Sequence, residues 1–140
     1  MKSKEKGNII FIRLYPNENL NEEIKKVCFN YNIKTAIVIS GIGQLKNFQL
    51  GYFKEKGNYA PKKFNKPYEL LSLNGNICKK NEDYLLHFHA VLADDKKNVV
   101  GGHLLEGIVE ITNEIVILKS NISIDREIEK TTGLQELILE

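Results

Sequence analysis

All three histidines of the chain fall in one stretch, LLHFHAVLADDKKNVVGGHLL (85–105), at His87, His89 and His103. Neutral imidazole is the commonest protein ligand for a borderline metal such as zinc. Side chains alternate along an extended strand, so His87 and His89 point the same way. Leu86, Phe88, Ala90 and Leu92 take the opposite, core-facing side. Leu85, Val91 and Ala93 lie with the histidines and partly cover that face. Two imidazoles spaced this way can chelate one ion.

His103 joins them only if the flanking strands pair in the right register. A turn with an odd number of residues sets position 89 across from position 103, with Cβ atoms about 4.5–5.5 Å apart. An even turn sends His103 to the other face unless Gly101-Gly102 supplies a bulge. Structural zinc is normally closed by four protein ligands. Three nitrogens leave a position open, as in catalytic or ligand-binding sites. Glu69, Glu106 and Asp94 are candidates for a further ligand or a supporting partner. A carboxylate in a cleft can also act as a base, but a solvated acid or strand-face ion pair is the commoner role. The competing account is three histidines that pack and hydrogen-bond at a subunit contact. Ser40, Ser72, Cys28 and Cys78 carry no local signature of an activated nucleophile.

The elements that must position these groups are mostly strands. NIIFIRLY (8–15) reads as the first strand, after a few frayed residues. Asn19 or Asn21 caps a helix over about 20–31, with Glu22 and Glu23 in its first turn and Leu20, Ile24, Val27, Cys28 and Tyr31 on one face. KTAIVIS (34–40) is a central strand. The GxG of SGIGQL marks a bulge or bend, not a phosphate loop, because strand-like LKNFQLGYF (45–53) follows where a helix should open. PYELLSLNGNI (67–77) is a strand with Glu69, Leu71 and Leu73 on one side and Tyr68, Leu70 and Ser72 on the other, bending at Asn74-Gly75-Asn76. The histidine strands follow, then IVEITNEIVIL (108–118), interrupted at Thr112-Asn113. A polar tail (121–140) breaks at 131–133 before a last apolar run at 134–139. One helix and seven or eight strands predict an α+β fold with a largely antiparallel sheet. The expected arrangement is a single domain over 1–140, with its core at about 8–120.

The 140 residues suffice for one hydrophobic core, and the 42% apolar and 27% charged composition is that of a globular chain. No run approaches the length of a membrane span and no secretory signal pattern is present, so the expected location is the cytoplasm. Two distant cysteines without a CxxC pattern read as free thiols. A net charge of +2 gives weak support for nucleic acid as a partner. The one basic run, Lys54, Lys56, Lys62, Lys63 and Lys66 against Glu55, is more commonly a solvated loop than a binding face.

PYELLSLNGNI, LHFHAVLADDKKNVVGGHLLEG and the later Glu114-Ile115 together resemble the PPC (or PCC) domain, the plant and prokaryote conserved domain. SGIGQLKNFQLGYF resembles that family's early GxG-containing strand pair. The resemblance spans about 8–118. It implies an antiparallel α+β domain assembled as a homotrimer, with His87, His89 and His103 as the family's histidine cluster holding zinc or a similar divalent ion. Plant members follow AT-hook segments that bind DNA. No Arg-Gly-Arg core occurs here, as in stand-alone prokaryotic members. The plant Gly-Arg-Phe-Glu-Ile partner-binding stretch aligns with Lys66-Pro67-Tyr68-Glu69-Leu70, which keeps only the aromatic, the acid and an aliphatic residue. Two functions are therefore expected to compete: a trimeric metal-binding domain whose enzymatic status is open, and a DNA-associated or protein-association module without catalysis.

Overall fold

A computed structural model describes residues 1–139. The elements are β1 (Lys2–Lys6), β2 (Ile9–Leu14), α1 (Leu20–Asn30), β3 (Thr35–Gly51), β4 (Lys62–Phe64), β5 (Tyr68–Lys80), β6 (Asp83–Ala93), β7 (Val99–Ser120), β8 (Ile124–Ile128) and β9 (Gln135–Leu139). This is the α+β, largely antiparallel architecture expected from the sequence. The main sheet runs β1-β2-β7-β6-β5-β3-β4, and β7 also pairs with β3. The pairings β3–β5–β6–β7–β3 therefore close a ring. β8 and β9 form a separate hairpin.

α1 begins where the sequence places it. Asn19 Oδ1 accepts from the N–H groups of Asn21 and Glu22, and Glu22 and Glu23 oppose the helix dipole. Its apolar face, Leu20, Ile24, Val27 and Cys28, is fully buried in one core with Ile10, Leu14, Leu45, Leu73, Phe88 and Ile115. Burying each such aliphatic side chain contributes roughly 1.5–3 kcal/mol. Tyr84, at the start of β6, donates its hydroxyl to Ile33 O at 2.7 Å, with Cys28 O at 3.0 Å. The histidine strand is thus tied to the end of the helix.

Several local expectations are corrected. The first residues are not frayed: β1 pairs along its whole length with β2. The stretches 34–40 and 45–53 are not two strands. β3 is continuous for 17 residues and bends through register shifts at Val38/Ser40, Gly43/Leu45 and Lys46/Gln49. β7 likewise runs through Thr112-Asn113 without a break. Gly43 lies at φ 144, and a Cβ there would sit 2.1 Å from Thr112 O. The glycine serves the close approach of β3 to β7, which long-range pairing imposes and local propensity does not show. In β5 the register shifts between Leu70 and Ser72. That bulge buries both Leu70 and Leu73 and turns Leu71 outward, so the simple alternation expected there fails.

Candidate metal centre

The turn at 94–98 decides whether the histidines meet. It has an odd number of residues, and Asp94 builds it. Asp94 N–H donates to Asn98 O at 3.0 Å, and its Oδ1 accepts from Lys96 N and Asn98 N at 2.9 and 2.8 Å. Lys97 takes the left-handed conformation, φ 70. β6 and β7 then pair without interruption from Ala93↔Val99 to His89↔His103. No bulge at Gly101-Gly102 is needed or present. Gly102 instead makes room for β3, since a Cβ there would lie 3.0 Å from Gly51 O.

His87 and His89 share a face by strand alternation, and His103 lies directly across from His89. The three ring centroids are 5.1–5.5 Å apart. One ring nitrogen from each residue lies within 4.8 Å of those of the other two. Gly75, opposite Phe88, carries φ 153, and a Cβ there would fall 1.9 Å from His87 O. Only glycine lets β5 pass this close beneath His87. Tyr59 packs edge-on against His103 at 5.4 Å between centroids.

The electrostatics favour the neutral imidazole at His87 and His103. Burial, followed by the neighbouring His87 and His89, pushes His103 down to about 4. Burial and then Arg126 lower His87. His103 Nδ1 is buried with no hydrogen-bond partner. Such an orphaned nitrogen beside two other imidazoles suits a cation. The donor set, three neutral nitrogens and no thiolate, fits a borderline divalent ion with at least one position left for water or a ligand.

The expected carboxylates are elsewhere. Glu69 accepts from Gln44 Nε2 at 2.9 Å, Glu106 pairs across from Gln49, and Asp94 is spent on the turn. The group at the centre that sequence reasoning missed is Arg126 of β8. It is only 5% exposed. Nη1 donates to Gln135 O at 2.8 Å and Nη2 to Asn76 Oδ1 at 2.7 Å, with His87 Nδ1 at 3.1 Å from Nη2. Lys80 holds β8 in place, donating to Asp125 Oδ1 at 2.8 Å and to Arg126 O at 2.9 Å. An arginine in a polar tail has no periodic signal to mark it; only tertiary packing brings it here. A cavity of about 230 Å³ lies between the histidines and the β8–β9 hairpin, lined by Tyr59, Leu85, Leu86, Arg126, Leu134 and Gln135 besides His87 and His103.

Known proteins share this arrangement of elements. A plant- and prokaryote-conserved protein from Pyrococcus horikoshii is 35% identical, with 95% of this chain and 94% of that one superposed at a TM-score of 0.81. A metal-containing protein from Archaeoglobus fulgidus is 29% identical over 96% of this chain and 95% of its own, TM-score 0.84. A Bacteroides thetaiotaomicron protein provisionally named as DNA-binding is 25% identical, covering 99% of this chain and 96% of its own, with a TM-score of 0.91. Among curated proteins, the bifunctional protein GlmU of Synechococcus sp. (strain JA-2-3B'a(2-13)) is 27% identical over 128 residues, 90% of this chain. The chain spans about a fifth of the length of the curated relatives it matches. The model of the Plants and Prokaryotes Conserved (PCC) domain matches residues 1–121, and the chain belongs to that family.

Proposed function

We propose that this PCC domain is a metal-binding protein of the cytoplasm that assembles as a homotrimer, with His87, His89 and His103 holding one zinc or similar divalent ion per chain. The observation that carries the reading is the convergence of three ring nitrogens within 4.8 Å across β6 and β7. The metal-containing Archaeoglobus relative supports it, as does the depressed His103. The two cysteines are free and buried, in keeping with a reducing compartment. The domain unit is read as the whole of 1–140, because β8 and β9, beyond the family match, wall the histidine site. A bound ion with an open position supplies Lewis-acid character to whatever occupies it.

Elemental analysis of protein purified without a nickel column tests the reading. One ion per chain is expected, lost in His103→Ala. Chelation of a site held at 100–1,000 times its Kd should cost about 3–4 kcal/mol of stability. A metal-free wild type whose stability is unchanged by His103→Ala overturns it.

A second reading, a DNA-associated module, rests on the basic stretch. Lys54, Lys62, Lys63 and Lys66 are exposed, and none is ion-paired among the described residues. The name of the Bacteroides relative points the same way. Binding to duplex DNA that weakens steeply with salt is its signature, and no binding at low salt ends it.

A further inference from the structure

Arg126 poses a chemical problem that the metal reading does not absorb. It is a guanidinium 5% exposed, and no ion pair among the described residues includes it. Buried charges are ordinarily paired, because an uncompensated one is costly. Two of the nearby carboxylates are committed elsewhere, and the exposed Glu136, which lines an adjoining cavity with Arg126 and His87, makes no ion pair with the guanidinium among the described residues. Asp125 is bound by Lys80, and Glu129 accepts from Thr131 and Thr132. Arg126 donates to neutral acceptors, Gln135 O, Asn76 Oδ1 and His87 Nδ1, and lies against the neutral Cys78 thiol, while its buried Nε has no hydrogen-bond partner among the described residues.

A metal sharpens the problem. Arginine only donates, so its 3.1 Å contact makes His87 Nδ1 the acceptor and leaves Nε2 as the nitrogen for an ion. A neutral imidazole that ligates through Nε2 carries its proton on Nδ1. The Arg126 N–H facing it then loses its acceptor. The loaded site would hold a dication and a buried guanidinium, and none of the residues lining the cavity is acidic. The missing component is an anion.

We propose that Arg126 and the three-histidine centre together form a binding site for a small carboxylate with an apolar body. This rests on the metal reading above. One carboxylate oxygen takes the open position of the ion and the other the freed guanidinium N–H, a charge-assisted contact. Leu85, Leu86 and Leu134 line the rest of the cavity and suit an aliphatic or aromatic group rather than a hydrated phosphate. The volume of about 230 Å³ equals the liquid share of about seven or eight waters, which sets the ligand at roughly that many non-hydrogen atoms or slightly more.

Benzoate is a suitable probe, with inorganic phosphate and a duplex oligonucleotide as comparisons. Calorimetric titrations of the full chain are run alongside metal analysis of each sample. Saturable one-to-one binding of benzoate to wild type is expected, weakened at least tenfold in Arg126→Met with metal content unchanged. Leu134→Glu leaves Arg126 in place and puts a competing carboxylate at the cavity wall. It should abolish benzoate binding as well, which covers the case that Arg126→Met does not fold. Metal-loaded wild type that ignores benzoate, or binds it equally well after both substitutions, overturns this proposal and leaves the metal reading standing. Benzoate bound by a metal-free wild type and lost in Arg126→Met supports the Arg126 site while the metal reading fails. Phosphate or duplex DNA bound in preference to benzoate, with loss in Arg126→Met, overturns the carboxylate assignment.

Discussion

The chemistry proposed for this domain rests on imidazole nitrogens, not on thiols. Cys28 is fully buried in the core, and burial pushes its thiol up to about 12; burial raises Cys78 as well. The thiolate is the reactive and metal-binding form, so at neutral pH neither sulfur is a competent ligand or nucleophile. A colourless disulfide reagent that releases a chromophore on reaction should label neither cysteine in native protein at pH 8 and both in denaturant. Rapid labelling of the native protein would place a thiol at the surface. The histidines were legible because each owes its place to a rule of alternation and pairing. Arg126 was not. Nothing local distinguishes it from Arg13, which is solvent-facing on β2. The carboxylates misled for the converse reason: Glu69 sits in an apolar stretch, but a bulge in β5, invisible to a count of alternation, governs which side chains of that strand turn inward.

Among the elements, the turns and close strand approaches fix the site. Gly43→Ala should cost about 3 kcal/mol, since its Cβ would collide with Thr112 O and Asn113 at a left-handed φ. The destabilisation should appear in a denaturant midpoint with the m-value preserved. A second element depends on pH. The turn before β9 is held by Glu129, whose carboxylate accepts from Thr131 Oγ1 and N–H and from Thr132 Oγ1 and N–H. These bonds hold its pKa down to about 2, Thr131 first. A depressed carboxyl pKa gives stability that is complete above its unfolded value near 4.5 and lost as pH falls toward 2. The β8–β9 hairpin should therefore loosen in that window, and its amide resonances should shift before those of β6. Glu129→Gln should remove the pH dependence; a hairpin unaltered from pH 5 to 2.5 would refute the coupling. The helix and its cap followed from the sequence because each is set within a few residues, whereas the histidine register stayed open between an odd and an even turn and is decided by the five-residue turn at 94–98. The merging of four expected strands into β3 and β7 did not follow from the sequence, because it depends on partners far along the chain.

At the scale of the molecule, the histidines and the apolar outer surface belong to one face. Directly paired residues of neighbouring strands point the same way. Ile9 pairs with Leu118, Leu118 with Ile37, Ile37 with Asn76 and Asn76 with His87. One row thus crosses five strands from an apolar end to the candidate centre. Beside it Phe11 pairs with Val116, and Ile39 stands out at a bulge. Phe11 is 64% and Ile39 50% exposed in the isolated chain. A contiguous apolar surface of this kind marks an interface, and covering it is the physical motive for the proposed trimer. Phe11→Lys combined with Ile39→Lys would place two charges in that contact without touching the core. Light scattering should then report a mass near the 16.0 kDa of one chain, against three times that value expected for wild type as the proposed trimer. All three imidazoles come from a single chain, so the dissociated variant should still bind its ion, with weaker affinity only if solvent now enters from the exposed face. A variant that dissociates and loses its ion completely would make the centre a property of the assembly; one that stays trimeric would move the interface away from this face.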